Sequence, residues 1–163
     1  MPLVPLGGLP DDARVWVFAA ERALTPEETQ AVLGTVDGFL GAWAAHGHTL
    51  RSGRELRESR FLVIAVDEAA AGASGCSIDA LVREIRALES DLHVALVDHG
   101  PVVFREGAAI RRVPRDEFAE LAREGRVTPD TVVFDNTISR LAALREGRWE
   151  LPASASWHGR AFF

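Results

Sequence analysis

Cys76 is the only thiol of the chain, and it stands in AGASGCSID (residues 71–79), a run of small residues just ahead of an apolar-periodic helix. The thiolate is the reactive form of cysteine. A helix start favours it, because unpaired backbone N–H groups and the positive end of the dipole face the first turn. A neighbouring imidazole would hold the charge partner's place or take the proton, and His46 and His48 flank one glycine in AWAAHGHTL. This gives Cys76 as candidate nucleophile and His46 or His48 as base, with Asp79 added to the catalytic set. Ser74, Gly75, Ser77 and local N–H groups would orient a substrate or receive an oxyanion. The same residues also have a plain use. Ser74 or Ser77 caps the helix, Asp79 is a favourable first-turn acid, and Cys76 is a small filler. Asp67 and Glu68, close in sequence, would oppose ionisation of the thiol.

Other polar candidates are thinner. His46-Gly47-His48 with Asp67 or Asp98 has ligand types that hold a metal, but an H-x-H pair alone is a weak signal, so no metal is assigned and no cofactor is expected. Asp135 and Asn136 follow a predicted strand, as ligand-binding residues or as a turn and helix cap. Trp43, Trp149 and Trp157 are core or platform residues, and His158 beside Trp157 would either cover a site or have no role in one.

Composition removes whole classes. All 18 basic residues are Arg, so neither a phosphate loop with its lysine nor a Schiff-base enzyme is available. A net charge of -6 argues against non-specific nucleic-acid binding, and Arg51, Arg54, Arg57 and Arg60 are the one basic patch to consider. A single cysteine forms no intramolecular disulfide, which fits a reducing compartment. MPLVPLGGLPDD lacks the pattern of a signal peptide, and no apolar run is of membrane-spanning length, so a cytoplasmic location is expected, with no membrane partner.

The elements that must position these residues follow from periodicity. RVWVFAA (14–20) reads as a strand, and LTPEE starts a helix with Thr25 as cap and Glu28 closing a capping box. That helix carries Val32, Leu33, Val36, Phe39, Leu40 and Trp43 on one face, with Gly47 or His46 at its end. HTLRSGRELRE (48–58) is a polar edge strand, and RFLVIAVDE (60–68) is apolar throughout, as a covered central strand is. A helix over 77–90 and a strand over 92–98 complete the series. The order matches a ferredoxin-like (βαββαβ) core in an α+β protein, with residues 12–99 as core and 100–163 as extension within a single domain, 1–163. The extension reads as a hairpin at Glu106-Gly107, a helix after Pro114, a strand over 131–135, a helix capped by Asn136 or Thr137, and an irregular tail. The alternative is another α+β sandwich whose tail strands enter the main sheet. In the βαββαβ arrangement His46, His48, Asp67, Glu68, Ser74, Cys76, Ser77, Asp79, Asp98 and His99 share one edge, and that convergence is the default site.

LPDDARVWVF, AWAAHGHTL, AGASGCSID, VVFDN and the terminal SWH together resemble a small uncharacterised bacterial family often labelled "ABC transporter ATPase". Trp43, His46, Gly47, Ser74, Cys76, Ser77, Asp79, Asp135, Asn136, Trp157 and His158 carry the resemblance. It implies no catalytic roles, and its label conflicts with a chain that has no Walker lysine. The expected function is a thiol-dependent enzyme or thiol-based sensor acting on a small-molecule or protein partner. The alternatives are a non-catalytic module holding a small anion at the same helix start, and a protein–protein interaction domain.

Overall fold

The computed structural model describes residues 3–69 and 72–163. The chain is mixed α+β with antiparallel sheets. Strand β1 (Arg14–Ala19) leads into α1 (Pro26–Ala42), where Thr25 accepts from Glu28 N and the Glu28 side chain accepts from Thr25 N, the reciprocal capping predicted. The helix stops at Ala42, earlier than Gly47. Trp43 turns the chain into a short hairpin of β2 (Ala44–Ala45) and β3 (His48–Thr49). His46 and Gly47 form its turn with φ of 51° and 79°, the double positive of a type I′ hairpin turn. His46 is therefore a turn residue and not a helix cap.

Strands β4 (Arg51–Arg57) and β5 (Phe61–Asp67) follow, and the first sheet has the order β1-β5-β4. The apolar run is central and the polar strand lies outside it, as their compositions require. Helix α2 (Gly75–Leu92) comes next. The expected strand over 92–98 does not form. Its backbone donors are taken elsewhere: Glu89 accepts from Leu96 N and Val97 N at 2.6 and 2.8 Å, and Glu21 accepts from Ala95 N at 3.0 Å. The free edge of β1 is met instead by the C-terminal part, with Val15 N donating to Ser139 O at 3.0 Å and Leu141 N to Ala13 O at 2.9 Å. A four-stranded βαββαβ sheet is thus left unclosed.

The remaining strands build a sheet of their own. β6 (Val102–Glu106) and β7 (Ala109–Val113) form the predicted hairpin, and β8 (Val132–Phe134) and β9 (Glu150–Pro152) extend it in the order β7-β6-β8-β9. Helices α3 (Arg115–Arg123), α4 (Leu141–Arg145) and α5 (Trp157–Phe162) complete the chain. The tail read as irregular therefore holds a strand and a helix. No helix is capped by Asn136 or Thr137, because α4 starts only at Leu141.

Side-chain alternation stacks these parts in four layers. Phe18, Leu62 and Ile64 face Val36 of α1 and Ile85 of α2. On the other face Val15, Val17, Phe61 and Val63 meet Val103, Phe134 and Trp149. Beyond the second sheet Phe104 and Val133 pack on Phe118 and Leu121 of α3 and Phe162 of α5. Phe61, Phe134 and Trp149 form a trio between the sheets with centroids 4.6 to 4.9 Å apart, each pair adding about 1 kcal/mol beyond its burial. Arg60 crosses the same junction. It is 8% exposed and donates to Ala20 O, Glu21 O and Ile110 O at 3.1, 2.7 and 2.7 Å.

Candidate functional site

The first turn of α2 is arranged much as its sequence predicts. Ser74 is the cap, accepting from Ser77 N at 3.1 Å, while Ser77 Oγ donates to Ser74 O at 2.8 Å. Ser77 is buried, and its carbonyl accepts the indole N–H of Trp43 at 2.9 Å. This bond seats the end of α1 against the start of α2. Gly75 and Cys76 occupy the first two helical positions and are exposed. His46 and His48 are exposed on the neighbouring hairpin, and neither imidazole is hydrogen-bonded to Cys76 among the described residues. Asp79 is exposed and lies past the first turn, so it is not the first-turn acid expected of it.

Convergence on this edge is partial. Asp67 accepts from Ala69 N at 2.9 Å and faces Arg51 at 3.4 Å. Glu68 accepts from Ala73 N at 2.9 Å and also reaches Arg140 at 3.5 Å. Asp98 and His99 do not join them. With no strand over 92–98 to carry them along β1, they stay at its far end, where the His99 and Phe18 rings are 6.1 Å apart. Among the described residues no group of three or more His, Cys, Asp or Glu side chains is placed to hold a metal ion. The basic patch dissolves as well. Arg54 makes a two-pronged bond to Asp37 at 2.7 and 2.8 Å, Arg57 pairs with Glu55, Arg51 with Asp67, and Arg60 is buried.

Polar groups gather instead around the C-terminal elements. A cleft of about 490 Å³ runs between the 135–143 segment and the residues before and within α5, and its charged lining is Arg140, Arg148, Arg160 and Asp135. Three hydroxyl side chains, Thr137, Ser139 and Ser156, line it too. Asp135 Oδ1 accepts from Thr137 N at 3.0 Å and Thr137 Oγ1 at 2.5 Å, which fixes the turn after β8, and its Oδ2 accepts no bond among the described residues. Asn136 accepts the Trp149 indole N–H at 2.9 Å, tying that turn to the aromatic trio. Arg148 is held by Glu146 at 2.5 Å and Arg140 by Glu68, while Arg160 has no ion pair among the described residues. Neither glutamate lines the cleft.

Ser156 and Trp157 make the inner wall, and His158 backs it. His158 is 1% exposed, and its Nδ1 is 2.7 Å from Ser156 Oγ. Trp157 stacks on that imidazole with centroids 3.8 Å apart and has the Arg115 guanidinium 4.8 Å from its ring. Burial, with Arg115 assisting, pushes the His158 pKa down to about 4 against an opposing pull from Asp135, so the ring is neutral at pH 7. The Trp157 indole N–H is buried with no acceptor among the described residues. Gly159 lets this wall form, since a Cβ there would come within 2.7 Å of Ala153 O.

Of the residues singled out from sequence, Asp135 and Trp157 line this cleft, and Asn136 and His158 lie behind it with Asp98 and His99. Cys76, His46, His48, Asp79 and Trp43 are not part of it. Arg140, Arg148, Arg160, Thr137 and Ser156 escape sequence reading. In a chain whose every cation is arginine, three scattered arginines carry no local signal. They meet through tertiary structure: Arg140 lies on the edge of β1, Arg148 between α4 and β9, and Arg160 in α5. No family model matches the chain, and no curated protein or solved structure matches it either.

Proposed function

We propose that the protein binds a small anionic ligand in the cleft of Arg140, Arg148 and Arg160. One observation carries the reading: in an acidic chain three arginines and one carboxylate line one concave surface, and Arg160 has no ion pair among the described residues. Guanidinium groups match the planar or tetrahedral oxygens of carboxylate and phosphate, and partial enclosure strengthens such bonds over their value in open water. Titration calorimetry with inorganic phosphate at low ionic strength tests it. Replacing Arg160 or Arg148 by Ala weakens binding about tenfold each, the worth of one charge-assisted bond. An affinity indifferent to both substitutions would contradict the proposal.

A second reading keeps thiol chemistry, and the observation in its favour is that Cys76 is exposed in the first turn of a capped eighteen-residue helix. Alkylation by iodoacetamide at pH 7 would then outpace that of an unstructured cysteine peptide, and an equal or slower rate counts against it. We read the first half of the chain as a ferredoxin-like unit whose fourth-strand position is taken over by the 139–141 segment.

A further inference from the structure

We infer that the ligand of this cleft is a hydroxylated phosphomonoester of the sugar-phosphate class, an inference that rests on the anion-binding reading above. Charge sets the first term. Arg140, Arg148 and Arg160 line the cleft, but Glu68 and Glu146 outside it already pair with the first two, so a ligand must compete for them. A phosphomonoester, with between one and a half and two negative charges at pH 7, competes better than a singly charged anion. A zwitterion such as a free amino acid brings none net, and a monocarboxylate brings one. Size sets the second term, because about 490 Å³ exceeds what a bare phosphate fills and falls in the range of small-molecule sites.

The third term is Asp135. Its Oδ1 is engaged by Thr137, and Oδ2 is left as an acceptor in the wall of a cationic cleft. A hydroxyl satisfies that oxygen without adding charge, whereas a second anionic group would be repelled by it. Trp157 supplies the last term. Its ring already carries the His158 imidazole and the Arg115 guanidinium, surface that a nucleobase would need for stacking. The cleft therefore favours a saturated, hydroxyl-bearing body over a nucleotide.

The test uses the full chain with four probes: inorganic phosphate, ribose 5-phosphate, ribose and adenosine monophosphate. Ribose 5-phosphate is expected to bind about tenfold tighter than inorganic phosphate, with ribose alone not binding and the nucleotide gaining nothing over the sugar phosphate. Asp135→Asn keeps an oxygen for Thr137 and loses the acceptor for the ligand. In that variant the sugar phosphate weakens while inorganic phosphate tightens about twofold, since a negative charge has left the cleft. An unchanged melting temperature confirms that the turn is intact. Equal affinities for phosphate and ribose 5-phosphate, a preference for the nucleotide, or a sugar-phosphate gain that survives Asp135→Asn overturns the inference and leaves anion binding standing. Failure of every phosphate probe to bind overturns both.

Discussion

Glu68 touches Arg140 with one carboxylate oxygen, at 3.5 Å, and holds the backbone N–H of Ala73 with the other, at 2.9 Å. A single side chain thus links the cleft to the residues that precede α2 and Cys76. An anion seated on Arg140 competes with Glu68 for the guanidinium. Replacing Glu68 by Gln removes the competitor, and phosphate affinity should rise about two- to fivefold, the worth of an exposed ion pair. Titration calorimetry on the variant reads this directly. A weaker affinity would mean that Glu68 positions Arg140 rather than masks it.

His158 makes stability depend on pH. Its pKa is about 4 in the folded protein against about 6.5 for an ordinary histidine, and burial is the main cause. The folded pKa lies below the unfolded one, so the unfolded chain binds the extra proton. The contribution is complete above pH 6.5 and is lost as pH falls from there through 4. Its size is about 3 kcal/mol. Urea unfolding at several pH values should show this loss. Replacing Arg115 by Ala removes a positive neighbour, raises the pKa and flattens the curve.

Arg60 is a buried cation that no carboxylate neutralises among the described residues. Its three carbonyl acceptors belong to the chain just beyond β1 and to β7, so one guanidinium fork joins the two sheets. Replacing it by Met leaves those carbonyls facing an apolar chain and should cost about 3 kcal/mol or more. Denaturant melts measure the loss. A cost below about 1 kcal/mol would mean that water replaces the fork.

These residues also show how far the sequence could be read. Thr25 and Glu28, Ser74, and the 60–68 run announce their roles locally, because caps and apolar strands are decided by near neighbours. The fate of 92–98 is not local. Its apolar residues are buried as a strand's would be, yet Glu21 and Glu89 take its donors and the distant segment at Ser139 takes its place on β1. That exchange moves Asp98 and His99 away from Cys76. It also sets Arg140 beside β1, and nothing near residues 140, 148 or 160 marks the three arginines in the sequence.

Trp43 separates a structural role from a ligand-binding one. Its indole N–H is buried and donates to Ser77 O at 2.9 Å. Trp43→Phe keeps the ring and loses the bond, for about 1 to 2 kcal/mol, with faster hydrogen exchange in the first turn of α2. Phosphate affinity should not change, because Trp43 does not line the cleft.

The site itself is tested most directly by titrating inorganic phosphate into isotope-labelled protein and following amide and arginine Nε–H resonances. Shifts at the Nε–H groups of Arg140, Arg148 and Arg160 and at the amides of Thr137 and Ser156 are the predicted result. Shifts confined to Gly75, Cys76 and Ser77 would place the anion at the start of α2 and contradict the assignment.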